Sequence, residues 1–215
     1  MMMMAQRRIG IDPGIRRCGW GVIEQEGNSL RWIADGTITP QPDRADGQRL
    51  AEIYDGLVQV ISHYQPHEAA VEAVFVARNP SSALKLGMAR GAALLACAAG
   101  GLAVAEIAAR RAKQNITGSG RADKAQMQAM VSRLLLVTPS SADAADALAI
   151  AIASLNEQTP ALAGGTGVSG GVRRRGNSKD AIPGGASGAA SSGLEDAIAR
   201  ALVRDAAAIG GSGRS

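Results

Sequence analysis

The stretch that most constrains this chain is Ile9-Gly10-Ile11-Asp12-Pro13-Gly14. It is a short apolar run interrupted by one glycine, closed by a carboxylate and then at once by Pro-Gly. A run of that kind bounded by turn residues predicts a buried strand. Asp12 then stands where a central strand leaves its sheet. Mixed α/β proteins gather ligands at strand ends, which makes Asp12 a candidate site residue, although Asp ahead of Pro also opens turns for local reasons. The arbiter is whether other carboxylates converge on it.

The residues that follow predict the rest of the frame. Gly19 to Glu24 and Leu30 to Ala34 read as strands joined by a Gly27-Asn28 turn, hence a hairpin. Leu50, Ile53, Tyr54, Leu57, Val58 and Ile61 recur at helical spacing, and the helix ends near Tyr64 ahead of Pro66. Ala69 to Phe75 is an apolar, strand-like run. Asn79-Pro80-Ser81-Ser82 supplies a helix start, Ala83 to Ala99 the helix and Gly100-Gly101 its stop. That helix is small and apolar apart from Lys85 and Arg90, which predicts close packing. Leu102 to Ile107 reads as a fifth strand, Arg110-Arg111-Ala112-Lys113 as a basic segment, and Gly118-Ser119-Gly120 as a loop. Helices are predicted from Ala122 to Val137 and from Pro139-Ser140-Ser141 to Leu155. The order is three strands, helix, strand, helix, strand and two helices. It predicts an α/β fold with a mixed five-stranded sheet flanked by helices on both faces.

Past Asn156 the composition changes. Of 27 glycines in the chain, 13 fall between Gly164 and Gly213, among many Ser and Ala. Such a segment buries too little apolar surface to offset its ordering entropy and is expected to be disordered, with a short helix possible over Leu194 to Ala208. The expected organisation is a folded domain over residues 1–155 and a low-complexity extension over 156–215. The Arg173-Arg174-Arg175 run in that extension reads as a solvated basic patch.

Net charge is +4, which favours polyanionic partners. Cys18 and Cys97 are isolated, without metal-ligand spacing, and fit a reduced compartment. Met1 to Met4 is no signal sequence and no apolar run reaches transmembrane length, so a cytoplasmic protein without membrane contact is expected.

Three further carboxylates answer the question raised by Asp12. Glu72 lies inside an apolar run, where an isolated charge is costly unless paired, protonated or bound to metal. Asp143 and Asp146 stand three apart on a predicted helix, hence on one face, among alanines and with no cation nearby in sequence. Ser140-x-x-Asp143 resembles a capping box, which accounts for Asp143 but not for Asp146. Acids from a strand end, a second strand and one helix face suit a divalent ion such as Mg²⁺. Four of them on two ions suit in-line displacement at a phosphodiester.

The wording of these segments resembles the RuvC family of Holliday junction resolvases. Gly10-Ile11-Asp12-Pro13-Gly14, Val71 to Asn79, Ser82-Ala83-Leu84-Lys85-Leu86-Gly87 and Asp143 to Ala149 carry the match, which runs from about Ile9 to Leu155. The resemblance implies an RNase H-like fold, a homodimer, and Mg²⁺ or Mn²⁺ as cofactor with two ions per active site. It further implies paired symmetric nicks in four-way junction DNA, leaving 5′-phosphate and 3′-hydroxyl ends, and a partnership with the RuvA–RuvB branch-migration complex. The family's catalytic acids fall on Asp12, Glu72, Asp143 and Asp146. Lys113 and Lys124 match family lysines that contact DNA, Phe75 a position that stacks on a base at the opened junction, and Arg78, Lys85 and Arg90 line the expected DNA path. The extension after Asn156 lies outside the match, and the family commonly has a bulkier residue at Ile107-Ala108-Ala109.

Two other classes compete. An actin-like or sugar-kinase-like ATPase also begins with a strand ending in Gly-x-Asp-x-Gly, but needs a second phosphate-binding glycine turn that the folded part lacks. A junction-binding protein without catalysis has no use for four acids that repel phosphate.

Overall fold

A computed structural model of the chain describes residues 5–73 and 79–156. Phe75, Arg78 and the whole extension from residue 157, with its expected disorder and short helix, lie outside the described residues.

The apolar run does form a strand, β1 (Gln6–Asp12), at the centre of a single five-stranded sheet. β2 (Cys18–Glu26) and β3 (Ser29–Ile38) follow as the expected hairpin, turning at Gly27 with φ of 59°. β4 (Glu68–Ala73) and β5 (Ala103–Ala108) complete the order β3-β2-β1-β4-β5. β1 is antiparallel to β2 and parallel to β4, so the sheet is mixed. β3 runs four residues past the predicted Ala34, across a bulge that realigns it with β2.

Between β3 and β4, α1 (Asp46–Tyr64) ends where Gln65 turns left-handed ahead of Pro66. α2 (Pro80–Ala99) starts as its sequence dictates, with Asn79 accepting from the Ser81 amide and Pro80 in the first turn, and stops at Gly100-Gly101. α1 and α2 cover one face of the sheet: Ile9, Ile11, Trp20, Val22 and Val71 meet Ile53, Leu57, Val60 and Ala93 there. The opposite face, with Ile23, Ala70, Ala105 and Ile107, is covered by three helices.

The first of these three is a correction. The basic segment after β5, for which no element was expected, is a helix, α3 (Ala109–Thr117). Its only buried positions, Ala112 and Ile116, make a two-residue apolar stripe too short to reveal a period, and the packing on the last helix decides the conformation. α4 (Lys124–Leu135) is two residues shorter at each end than predicted, because Asp123 caps its start and Leu136 leaves it in the left-handed region. α5 (Ala142–Ser154) is capped by Ser141, whose hydroxyl accepts from the Ala144 amide. Ser140 is therefore not the cap, and the capping-box reading of Asp143 does not hold.

α2 corrects two further expectations. Only Ala89, Ala93, Ala96 and Cys97 are buried, while Leu84 and Leu95 are 66% and 61% exposed, so one side packs and the other faces outward. By length and composition α2 is also apolar enough to cross a membrane, although it packs against α1 as part of the core.

Candidate active site

The geometry of the acids follows from a trough of glycines under α5. Gly10 on β1 and Gly21 on β2 are direct register partners, and Gly19 pairs with Asp12. A Cβ on Gly10 would stand 2.1 Å from the Ala147 carbonyl, and one on Gly19 equally close to the Asp143 carbonyl. At Gly21 it would meet the Leu148 side chain at 2.6 Å. The three glycines face α5, and at Gly10 and Gly19 helix backbone rests almost directly on sheet backbone, while Gly21 makes room for the Leu148 side chain. α5 runs antiparallel to β1, with its far end held by Arg8, which donates to the Ser154 carbonyl at 2.6 Å. Its N-terminal turn is thereby set over Asp12, carrying Asp143 and Asp146.

β3 fixes that turn. Asp35, 4% exposed, accepts from the Ser140 amide at 2.7 Å and from the Trp32 indole at 2.8 Å. The Thr37 and Ser141 hydroxyls are 2.7 Å apart. Neither Asp35 nor Thr37 was legible as a site support. The available signal was a carboxylate within the apolar run Trp32 to Ile38, the pattern that singled out Glu72.

Glu72 reaches the site from β4. Ile11 pairs with Val71 in the parallel ladder, so Asp12 and Glu72 are the next residues on each strand and point to the same face. The two carboxyls share a hydrogen bond. Glu72 is half-buried rather than buried as expected. Burial, followed by the charges of Glu72 and Asp146, pushes the Asp12 carboxyl from 3.8 up to about 8, with Asp143 adding to the effect. Burial also raises Glu72, against the opposing effects of its hydrogen bond with Asp12 and of Lys124. The pair therefore retains one proton at neutral pH.

The other two acids have cations that sequence distance concealed. Lys124 Nζ lies 2.6 Å from Asp146, and that hydrogen bond holds the ammonium above its usual range. Arg17 Nη1 lies 3.7 Å from Asp143. Among the described residues, no three His, Cys, Asp or Glu side chains converge on one point as placed. The acids are instead balanced by a shared proton and by lysine. Their character still fits a hard divalent ion: oxygen donors only, crowded enough to hold a proton.

A cleft of about 220 Å³ opens on this cluster, lined by Asp12, Glu72, Asp146, Lys113, Lys124 and the apolar Ala109, Met127 and Ile150 among others. Lys113 and Lys124 thus stand at the acids, as expected. Lys85 and Arg90 were expected along the DNA path rather than at the acids. They lie on α2 across the sheet, where Lys85 pairs with Asp46 at 3.2 Å and Arg90 with Glu106 at 2.5 Å. A larger cavity of about 300 Å³ between the ends of α1 and α2 has no charged lining residue, so the chemistry belongs to the smaller cleft.

The family model for "Crossover junction endodeoxyribonuclease RuvC" matches residues 8–154, all but the edges of the described fold. The chain belongs to the RuvC family. The RuvC of Azorhizobium caulinodans is 51% identical over 156 residues, 72% of this chain and 92% of that protein. The RuvC of Bradyrhizobium diazoefficiens is 53% identical over 148 residues, 68% and 84% of the two chains. Among solved structures, Thermus thermophilus RuvC in complex with Holliday junction substrate superposes with a TM-score of 0.66 at 31% identity, covering 70% of this chain and 93% of that one. As a RuvC protein the chain is a crossover junction endodeoxyribonuclease, a hydrolase of DNA with an RNase H-like sheet. The ATPase reading falls with this match, since one five-stranded sheet holds all the described strands and its Asp12-Pro13-Gly14 turn serves a carboxylate cluster.

Proposed function

We propose that this endonuclease resolves four-way junctions by metal-assisted hydrolysis at Asp12, Glu72, Asp143 and Asp146. The observation that carries the assignment is the crowding of Asp12 by acids from β4 and α5, which with its burial holds its proton to about pH 8. The four acids would hold the metal, Mg²⁺ or Mn²⁺ and two ions per site, which when bound supplies an activated water and charge for the leaving 3′-oxygen. Asp12 must give up its proton to serve as a ligand. Lys124, seated on Asp146 in the wall of the cleft, offers its ammonium to phosphate once Asp146 is otherwise engaged. Lys113, on the same wall, does likewise. Phe75 and Arg78, just beyond β4, would meet the opened junction.

Paired nicks need two such sites, and the outward face of α2 supports a homodimer. Leu84, Met88 and Leu95 are exposed there at helical spacing, and Gly87 and Gly91 have nothing within reach of a Cβ, so a second helix could approach closely. A cytoplasmic setting and a partnership with the RuvA–RuvB complex complete the proposal, on the family relationship alone.

The test is a nicking assay on a labelled synthetic four-way junction with linear duplex as control, in Mg²⁺ and in EDTA. Symmetric, metal-dependent nicks confined to the junction are expected. Asp146→Asn should bind the junction and fail to cut it. Equal cutting of plain duplex would refute the proposal.

A further inference from the structure

We infer that Arg17 is a DNA-backbone contact on the side of the cleft opposite Lys113 and Lys124, holding a phosphate next to the one that is cut. The inference rests on the endonuclease reading and adds a residue to it.

The cations already placed at the site both belong to α3 and α4, beyond the β5 edge of the acid cluster. A strand of DNA crossing the cleft carries phosphates on both sides of the scissile one. With lysines on one side only, the phosphate beyond β1 would face the carboxylate of Asp143 alone. The loop from β1 to β2 corrects this imbalance. It leaves Asp12 and brings Arg16 and Arg17, both exposed, to that side. Arg17 Nη1 stands 3.7 Å from Asp143 with its side chain 68% exposed. So loose and wet a pair is worth at most about 1 kcal/mol, and exchanging it for a phosphate loses little. The guanidinium fork can hold two phosphate oxygens at once, which the ammonium of a lysine cannot.

The loop is also built to hold still. Pro13 is buried, Ile15 packs into the α1 side of the core, and a Cβ on Gly14 would stand 2.4 Å from the Arg17 carbonyl. Arg49, 9% exposed, reaches from α1 to donate to the Ile15 carbonyl at 2.8 Å. Arg49 also pairs with Asp46 at 3.8 Å, which offsets part of the cost of burying its charge beside the loop. The brace anchors the backbone that presents Arg17, so that less freedom is lost when DNA binds.

The experiment measures junction affinity of the full chain in EDTA between 50 and 200 mM salt for the wild type, Arg17→Ala and Arg17→Lys, with nicking in Mg²⁺ and thermal midpoints alongside. Each phosphate contact contributes about 0.9 to the slope of log affinity against log salt. Arg17→Ala should therefore fold normally yet lose about 3.5-fold less affinity per bound protomer over that fourfold salt range, and Arg17→Lys should restore the wild-type slope. An unchanged slope in Arg17→Ala, with nicking reduced or intact, would overturn the inference and leave Arg17 as a counter-charge for Asp143. A wild-type protein that neither binds nor nicks junctions would instead refute the endonuclease reading.

Discussion

Replacing Asp12 by Asn should stabilise the metal-free protein while abolishing its activity. In the folded chain Asp12 holds its proton to about pH 8, whereas in an unfolded chain it ionises near 3.8. Between those values the unfolded state binds fewer protons than the folded one, so stability falls as pH rises through the window and levels off above it. At pH 7 the difference amounts to roughly 4 kcal/mol, at 1.36 kcal/mol for each pH unit. Asn keeps a hydrogen bond toward Glu72 and escapes that penalty. If the neighbouring acids relax enough to relieve half of it, the variant gains ~2 kcal/mol, or about 4–8 °C in thermal midpoint for a chain of this size. The assay is thermal unfolding in EDTA at pH 5, 7 and 8.5. The gap between variant and wild type should be small at pH 5 and grow to pH 8. A variant no more stable than wild type at pH 7, or a gap independent of pH, would refute the account of Asp12 as a crowded carboxyl.

Four further outcomes follow from the structure. Mg²⁺ or Mn²⁺ binding should release a proton and tighten about tenfold for each pH unit between 6 and 8, then flatten, as read by calorimetry in buffers of different ionisation heat. Chelation should correspondingly lower the wild-type thermal midpoint at pH 8 and leave that of Asp12→Asn nearly unchanged. Gly10→Ala drives a Cβ to 2.1 Å from the Ala147 carbonyl, and should cost about 3 kcal/mol in urea unfolding and eliminate nicking even where the protein remains folded. Leu84→Glu combined with Leu95→Glu should leave secondary structure intact and convert a dimer to a monomer in sedimentation.

The sequence made the acids legible because each broke a local pattern: a charge at a strand end, a charge in an apolar run, two charges on an alanine face. It also showed the sheet, because strands and turns of this chain are marked by alternation and by Gly, Pro and Asn. What it concealed is whatever depends on contact between distant segments. Gly10, Gly19 and Gly21 look like ordinary weak strand residues until α5 is laid on them. Lys124 is 22 residues from Asp146 and only 2.6 Å away. Asp35 is buried at 4% exposure with the Ser140 amide, 105 positions on, as its partner. α3 has too few apolar positions to announce itself, and Lys85 and Arg90 sit on a helix whose side of the sheet no local pattern reveals.

The glycine trough has a consequence for how the enzyme fails. α5 is buried without interruption from Ala147 to Ser154 and its backbone rests directly on the central strands at Gly10 and Gly19. Two of the acids therefore ride on an element that cannot lift without opening the sheet's packed face. Amide protons along α5 should be among the slowest in the molecule to exchange with solvent, doing so only through global opening. Heat or denaturant should then remove catalysis and structure in one cooperative step, with no folded but disarmed species between them.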